Sequence, residues 1–113
     1  MLDNCLFCKI IKGEVPARKI YEDDQLLAFW DVAPQAPKHF LIIPKKHISG
    51  PSSITATDQE IIGALVGKGA QLAAENGIPD CRLVMNNGAA AGQTVFHLHL
   101  HVLGGRPLPW PLG

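Results

Sequence analysis

The sequence has no excess of charge of either sign. Among its 113 residues, ten are Lys or Arg and ten are Asp or Glu, so the formal net charge is zero with histidine neutral. No overall electric field would therefore draw the protein onto nucleic acid or an anionic membrane surface. We expect any phosphate chemistry to depend on a local arrangement of residues.

Long apolar runs are also lacking. No uninterrupted apolar stretch approaches the roughly 18 residues that a membrane-spanning helix needs, and residues 1–5 lack the basic and apolar regions of a secretory signal peptide. We therefore expect no membrane partner, no nucleic-acid partner and a cytoplasmic location.

Cysteine is scarce. Three cysteines in 113 residues make a poor disulfide framework for a secreted domain. Two of them are spaced as Cys5-Leu-Phe-Cys8, which is half of a tetrahedral zinc site. The alternative is a pair of reduced thiols packed in a short helix.

The chain length fits one compact domain over residues 1–113. Residues 8–13 predict a short N-terminal helix that Gly13 closes. The sequence Thr57-Asp-Gln-Glu60 has the form of a capping box, and apolar residues recur after it at helical spacing until Gly77. These features predict one long helix.

Five segments have the composition of strands. The first two form a hairpin around the acidic turn Asp23-Asp24, and the third is a continuous apolar run, which indicates a buried strand. The predicted strands are residues 19–22, 26–32, 39–44, 81–85 and 96–103. We expect an α+β fold: a mostly antiparallel five-stranded sheet with one long helix and a short N-terminal helix.

The last of these strands carries three histidines that alternate with aliphatic residues. In an extended chain His97, His99 and His101 share one face, and the aliphatic residues between them share the other. Imidazole is a nucleophile when neutral and stabilises phosphate oxygens when charged, so the row suits phosphoryl chemistry with His99 at its centre. The same pattern suits zinc, and the three histidines alone leave both interpretations open.

A loop of small residues, Gly88-Ala-Ala-Ala-Gly92-Gln93-Thr94, directly precedes the histidines. Glycine lets backbone N–H groups approach anionic oxygens closely, and Gln93 and Thr94 add side-chain donors. The combination favours phosphate binding over metal binding at the histidine row.

With these residues the chain resembles the histidine-triad family. The segment His97-Leu-His-Leu-His101-Val-Leu is similar to the family signature His-φ-His-φ-His-φ-φ, where φ is apolar, and the likeness is closest to the Hint branch. Other similar segments extend over nearly the whole chain. They are residues 8–16, 31–37, 39–49, 92–93, 104–106 and 110–111.

The resemblance implies a homodimer whose two sheets join into one. It also implies hydrolysis of purine nucleoside 5′-phosphoramidates, such as AMP-NH₂, AMP-lysine and compounds of the aminoacyl-adenylate type, with no cofactor required for catalysis. His99 would attack the α-phosphorus and carry the nucleotidyl group covalently. His101 would contact the phosphate, His39 would assist proton transfer and orientation, and His97 would complete the catalytic row.

The resemblance assigns the substrate pocket as well. Asp31 would bind the ribose hydroxyls, since a carboxylate can accept two hydrogen bonds. The phosphate site would be lined by Asn86, Gly92, Gln93, Thr94 and Val95. The base would be walled by Phe7, Ile10, Val15 and Phe29. Trp110 lies in a proline-rich tail, residues 107–113, that would pack at the dimer interface near the partner's active site.

Three questions stay open at this point. Cys5 and Cys8 would become a structural zinc site if the fold adds His47 and His97, a set that the resemblance favours. The pocket could serve a regulatory module that binds a purine nucleotide with little or no turnover. The histidine row could itself bind zinc through His99.

Overall fold

The structure is a computed structural model that describes residues 4–112. Its helices are α1 (Leu6–Ile11) and α2 (Gln59–Glu75). Its strands are β1 (Lys19–Glu22), β2 (Leu26–Trp30), β3 (Lys38–Pro44), β4 (Cys81–Val84) and β5 (Leu100–Gly104). Residues 1–3 of the predicted domain and residue 113 of the predicted tail lie outside the described residues.

The five strands form one sheet in the order β1-β2-β3-β5-β4. Every neighbouring pair is antiparallel, which confirms the predicted α+β class. Strand β3 lies at the centre, with Leu41 opposite His101 and Phe40 opposite Val102 on β5. Strand β4 lies at one edge. No helix among residues 4–112 has the length and apolarity to cross a membrane.

Both faces of the sheet are covered. Helix α2 packs on one face, where Gly69 allows a close approach, since a Cβ there would lie 3.2 Å from Leu100 Cδ2. Helix α1 covers the other face, and its Phe7 and Ile10 pack with Leu41. Coverage on both faces explains why β3 is a continuous apolar run rather than an alternating one.

The alternation around the histidines separates the two faces as expected. Leu98, Leu100 and Val102 are buried in the core on the α2 side. Strand β5 nevertheless begins at Leu100, four residues later than predicted. The backbone N–H of Leu98 donates to Ile48 O, at 2.6 Å, so the chain reaches the sheet ladder only after His99.

Other element boundaries differ from the sequence prediction for local reasons. Helix α1 begins at Leu6 rather than residue 8, because Cys5 Sγ accepts a hydrogen bond from the backbone N–H of Cys8 and caps the helix. The predicted capping box at residues 57–60 is wrong. The box is formed instead by Thr55 and Asp58. The Asp58 carboxylate accepts a hydrogen bond from the backbone N–H of Thr55 at 2.9 Å.

Candidate active site and metal cluster

A cavity of about 390 Å³ opens on the α1 side of the sheet. Nine residues of the predicted site line it: Phe7, Ile10, Val15, Phe29, Asp31, Thr94, Val95, His99 and His101. Sequence analysis missed six more: Leu6, Pro16, Ala17, Trp30, Val32 and Leu41. Leu41 alternates with Phe40 along β3, but the uniform apolarity of that strand hides which face each residue occupies.

Five other predicted site residues lie behind or beside this cavity. His39 is buried behind Asp31 and His101. Gln93 and His97 are also buried, while Asn86 and Gly92 belong to the loop that leads to Thr94.

Trp110 lies away from the cavity, and 79% of its surface is exposed. The Arg82 guanidinium donates to the carbonyls of Leu108 and Pro109, both at 3.1 Å, and so holds the tail beside β4.

Hydrogen bonds define the proton positions of two neutral histidines at the cavity. The backbone N–H of Gln35 donates to His39 Nδ1 at 3.1 Å, so the proton of neutral His39 is on Nε2. That atom lies 2.9 Å from His101 Nδ1 and 3.3 Å from Asp31 Oδ2. His101 Nδ1 therefore accepts, and its proton is on Nε2, where it can be donated to an anionic oxygen.

His99 has the opposite tautomer. Its Nδ1 lies 2.7 Å from the carbonyl oxygen of His97, which can only accept, so Nδ1 carries the proton. The lone pair is consequently on Nε2. The ring is held edge-to-face against Phe7, with ring centroids 5.1 Å apart, and 4.9 Å from the ring of His101.

Burial keeps the histidines beside His99 neutral. It lowers the pKa of His39, an effect that the negative charge of Asp31 opposes. It also lowers the pKa of His101 to about 4, to which the neighbouring His99 and His39 contribute. Both rings are therefore uncharged near pH 7, as the hydrogen-bond chain requires.

The loop before the histidines has glycines where the backbone needs them. Gly88 and Gly92 have φ values of 98° and 102°, in the left-handed region. Within residues 4–112, no group accepts a hydrogen bond from the backbone N–H of Thr94 or Val95. These two donors border the cavity and are available to an anion.

Gln93 has a position that the sequence does not reveal. Its Nε2 donates to the carbonyls of Ser49, at 2.8 Å, and Val95, at 3.1 Å. Its Oε1 accepts from the N–H of Gly88 at 2.8 Å. Both side-chain protons are thus used within the protein, and the side chain shapes the loop from inside.

Four further side chains form a cluster that could hold a structural zinc ion: Cys5, Cys8, His47 and His97. Their ligand atoms all lie within 4.8 Å of one another. His97 Nδ1 lies 3.4 Å from Cys5 Sγ, 3.6 Å from Cys8 Sγ and 3.2 Å from His47 Nδ1.

These distances fit a tetrahedral zinc site. Zinc bonds of ordinary length give edges of about 3.4 Å between nitrogens and about 3.6 Å between nitrogen and sulfur. His97 Nε2 donates to Pro44 O at 2.7 Å, which leaves the lone pair on Nδ1, toward the cluster. Burial raises the pKa of the Cys5 thiol and lowers the pKa of His97 to about 4.

Comparisons with known proteins place this geometry in context. Residues 4–107 match the family described as "Scavenger mRNA decapping enzyme C-term binding". The chain is 55% identical, over 114 positions that cover 100% of both chains, to an uncharacterized HIT-like protein of Synechocystis sp.. It is similar in structure to a HIT family hydrolase from Legionella pneumophila, with a TM-score of 0.95 and 47% identity over 97% of this chain and 100% of that one. A HIT family hydrolase from Clostridium thermocellum gives a TM-score of 0.96 and 44% identity, with 99% of each chain covered.

We expect His101 to titrate far below an ordinary histidine. Its folded pKa of about 4 lies below the ordinary histidine value of 6.5, so folding disfavours its protonated form. Its contribution to the free energy of unfolding is therefore complete above pH 6.5 and is lost as the pH falls from 6.5 toward 4. An NMR titration of the imidazole should show a midpoint near pH 4.

Chemical denaturation of wild type and His101→Gln gives the control. Other titrating groups are common to both proteins, so the variant should lose less stability between pH 6.5 and 4. Equal losses of stability in the two proteins, or an NMR midpoint near pH 6.5, would contradict a neutral His101.

Proposed function

The chain belongs to the HIT (histidine-triad) family, and on this premise we propose that it is a Hint-like hydrolase of purine nucleoside 5′-phosphoramidates that acts through a covalent nucleotidyl-histidine. One observation carries the proposal: the His99 Nδ1–H bond to His97 O puts the lone pair of His99 on Nε2, beside the cavity. A histidine in this state is ready to attack phosphorus.

In the proposed first step, His99 Nε2 forms a bond to the α-phosphorus while the bond from phosphorus to the amine nitrogen breaks. The leaving nitrogen takes a proton from solvent. The remaining positive charge is on the nucleotidyl-imidazolium, whose Nδ1–H still donates to His97 O. In the second step, water displaces His99 from phosphorus, which releases the nucleotide and a proton.

Three donors support stabilisation of the phosphate oxygens in both steps. They are the His101 Nε2–H and the backbone N–H groups of Thr94 and Val95, all at the cavity. Donors that are fixed before the reaction stabilise developing charge without reorganisation. In this scheme His39 is a positioning residue, because its Nε2–H determines which nitrogen of His101 carries the proton.

The ribose and the base have matching surfaces. Asp31 Oδ1 accepts from the N–H of Ala33 at 2.8 Å, and each carboxylate oxygen keeps capacity for a ribose hydroxyl. Beyond it the wall is apolar, with Phe7 and Phe29 in edge contact at 5.5 Å between centroids. A flat purine would bury its faces there.

A zinc ion on Cys5, Cys8, His47 and His97 would supply a structural cross-link to this site. All four ligands come from protein side chains, and a closed tetrahedral set of this kind leaves no position for substrate. Catalysis would accordingly require no cofactor.

Removal of the nucleophile should separate chemistry from binding. We expect His99→Ala to release no AMP from adenosine 5′-phosphoramidate and yet to bind AMP within about tenfold of wild type, since the pocket is built by other residues. Wild type quenched in base should carry the added mass of a nucleotidyl group, and the variant should not. AMP binding without turnover in both proteins would favour the regulatory module instead.

The ribose assignment predicts a sugar-dependent effect. Asp31→Asn keeps the side-chain size but replaces one acceptor oxygen with a donor, so we expect AMP to bind about tenfold more weakly, on the scale of one lost hydrogen bond to a charged group. Binding of 2′-deoxy-AMP should change less, because one of its two hydroxyls is absent. Calorimetric titrations that give equal losses for both sugars would refute the assignment.

We also propose a homodimer whose sheets join through the edge strand β4. Leu83 on this strand is 37% exposed, and the Arg82 side chain holds the tail that bears exposed Trp110 beside it. Pairing of two β4 strands would give hydrogen-bond partners to the unpaired backbone groups at this edge. It would also cover Leu83 and Trp110.

Sedimentation analysis measures the mass of the assembly directly. Wild type should sediment at twice the chain mass of 12.2 kDa, and Leu83→Asp should shift the population toward the single chain. Val66→Asp is the matched control, because Val66 is similarly exposed, at 40%, but lies on α2. A wild-type protein of single-chain mass, or equal effects of both variants, would contradict a β4 interface.

A further inference from the structure

Each of the three segments that contribute to the metal cluster either carries a residue of the nucleotide site or is hydrogen-bonded to the loop that does. The first segment is α1. Cys5 and Cys8 flank Phe7, whose ring lies 5.1 Å from that of His99 and 5.5 Å from that of Phe29. A metal held by both cysteines would therefore fix the helix that carries the base-pocket wall.

The second segment is the one that holds the nucleophile. His97 Nδ1 belongs to the cluster, while the carbonyl oxygen of the same residue accepts the Nδ1–H of His99 at 2.7 Å. The position of this carbonyl determines both the tautomer of His99 and the direction of its Nε2. Coordination of the His97 ring would thus constrain the nucleophile two residues away.

The third segment leads to the phosphate loop. His47 lies two residues before Ser49, whose carbonyl accepts from Gln93 Nε2 at 2.8 Å. Gln93 in turn holds Gly88 and Val95. Constraint of His47 is consequently transmitted to the loop that brings Thr94 and Val95 to the cavity.

These three segments are distant in the chain. The four contacts between cluster residues join side chains that are 39, 50, 89 and 92 residues apart in the chain, and helix α1 has only six residues. A helix this short has little stability of its own, so its position depends on tertiary contacts. Four metal bonds would replace a set of sulfur and nitrogen contacts 3.2 to 3.6 Å long.

We infer that the Cys5-Cys8-His47-His97 site and the nucleotide site are coupled, such that bound Zn²⁺ strengthens nucleotide binding and bound nucleotide strengthens Zn²⁺ binding. The inference rests on the proposed function, because it takes the cavity to be a nucleotide site. Coupling of this kind is reciprocal, so each ligand changes the affinity of the other by the same factor. Metal supply would then regulate the activity of the site without metal entering the reaction.

The test measures both directions of the linkage on the full chain. AMP affinity is determined by calorimetry for Zn²⁺-loaded wild type and for wild type stripped with a chelator. Zn²⁺ affinity is determined by competition with a chromogenic chelator, with and without saturating AMP. We expect a factor of about ten in both measurements, within the roughly 5- to 150-fold range of such couplings. Equal AMP affinity with and without Zn²⁺ would overturn the coupling.

Two thiol variants provide the matched comparison. Cys8→Ser should lose Zn²⁺ and bind AMP as weakly as the stripped wild type. Cys81→Ser, on β4 and outside the cluster, should retain both affinities. Circular dichroism at the assay temperature shows whether the stripped protein is folded. If it is not, the rate of Zn²⁺ loss from loaded wild type replaces the affinity measurement, and AMP should slow that rate about tenfold.

The remaining outcomes are distinct. A loaded protein that retains Zn²⁺ but binds no AMP would contradict the proposed nucleotide site. A protein that retains no Zn²⁺ during dialysis against metal-free buffer would overturn the inference and leave the proposed function standing. A rate of Zn²⁺ loss that AMP does not change would also overturn the inference.

Discussion

The pairing of β3 with β5 is the constraint on which the site depends. Its register sets Leu41 opposite His101 and His39 opposite Leu103, so the two histidines are diagonal neighbours on one face, with Nε2 and Nδ1 2.9 Å apart. A shift of one residue would turn His101 into the α2 core and Val102 toward the cavity. The apolar contacts of α2 with β5 therefore stabilise the fold and orient the histidines at the same time.

Burial of polar rings next to this core has a cost that the structure offsets with hydrogen bonds. His39, His97 and His99 are all at most 6% exposed, and each has a partner fixed by the backbone: Gln35 N–H, Pro44 O and His97 O respectively. Within residues 4–112, every buried side-chain nitrogen and oxygen has a hydrogen-bond partner. The same contacts that satisfy the rings also select their tautomers, so stability and reactivity are determined together.

The two faces of the sheet are covered by helices of very different length. On one side α2 has 17 residues and a large core beneath it, whereas on the other α1 has six residues, among them Phe7 and Ile10 of the cavity wall. Cys5 and Cys8 lie on either side of Phe7 in the sequence. A metal cross-link from their thiols to His47 and His97 would compensate for the low stability of the short helix. The position of the Cys5-Cys8-His47-His97 cluster next to the histidine row is thus understandable from the need to fix α1.

The sequence by itself determined the features that follow from local periodicity. Alternation at residues 97–102 assigned the histidines and the aliphatic residues between them to opposite faces, and the α+β class followed from strand-like segments around one amphipathic helix. The glycines at 88 and 92 marked a loop. The spacing of Cys5 and Cys8 predicted half of a cluster that could hold zinc, because two ligands within one helical turn are near neighbours in any fold.

Only the tertiary structure decided what depends on contacts between distant segments. The Nε2 lone pair of His99 depends on a carbonyl position, and the tautomer of His101 depends on His39, 62 residues away. Gln93 looked like a phosphate donor, yet its protons are used by Ser49 and Val95. Periodicity determines which face a side chain occupies, but a proton position and a free lone pair are determined by the packing of segments whose separation in the chain carries no information about distance.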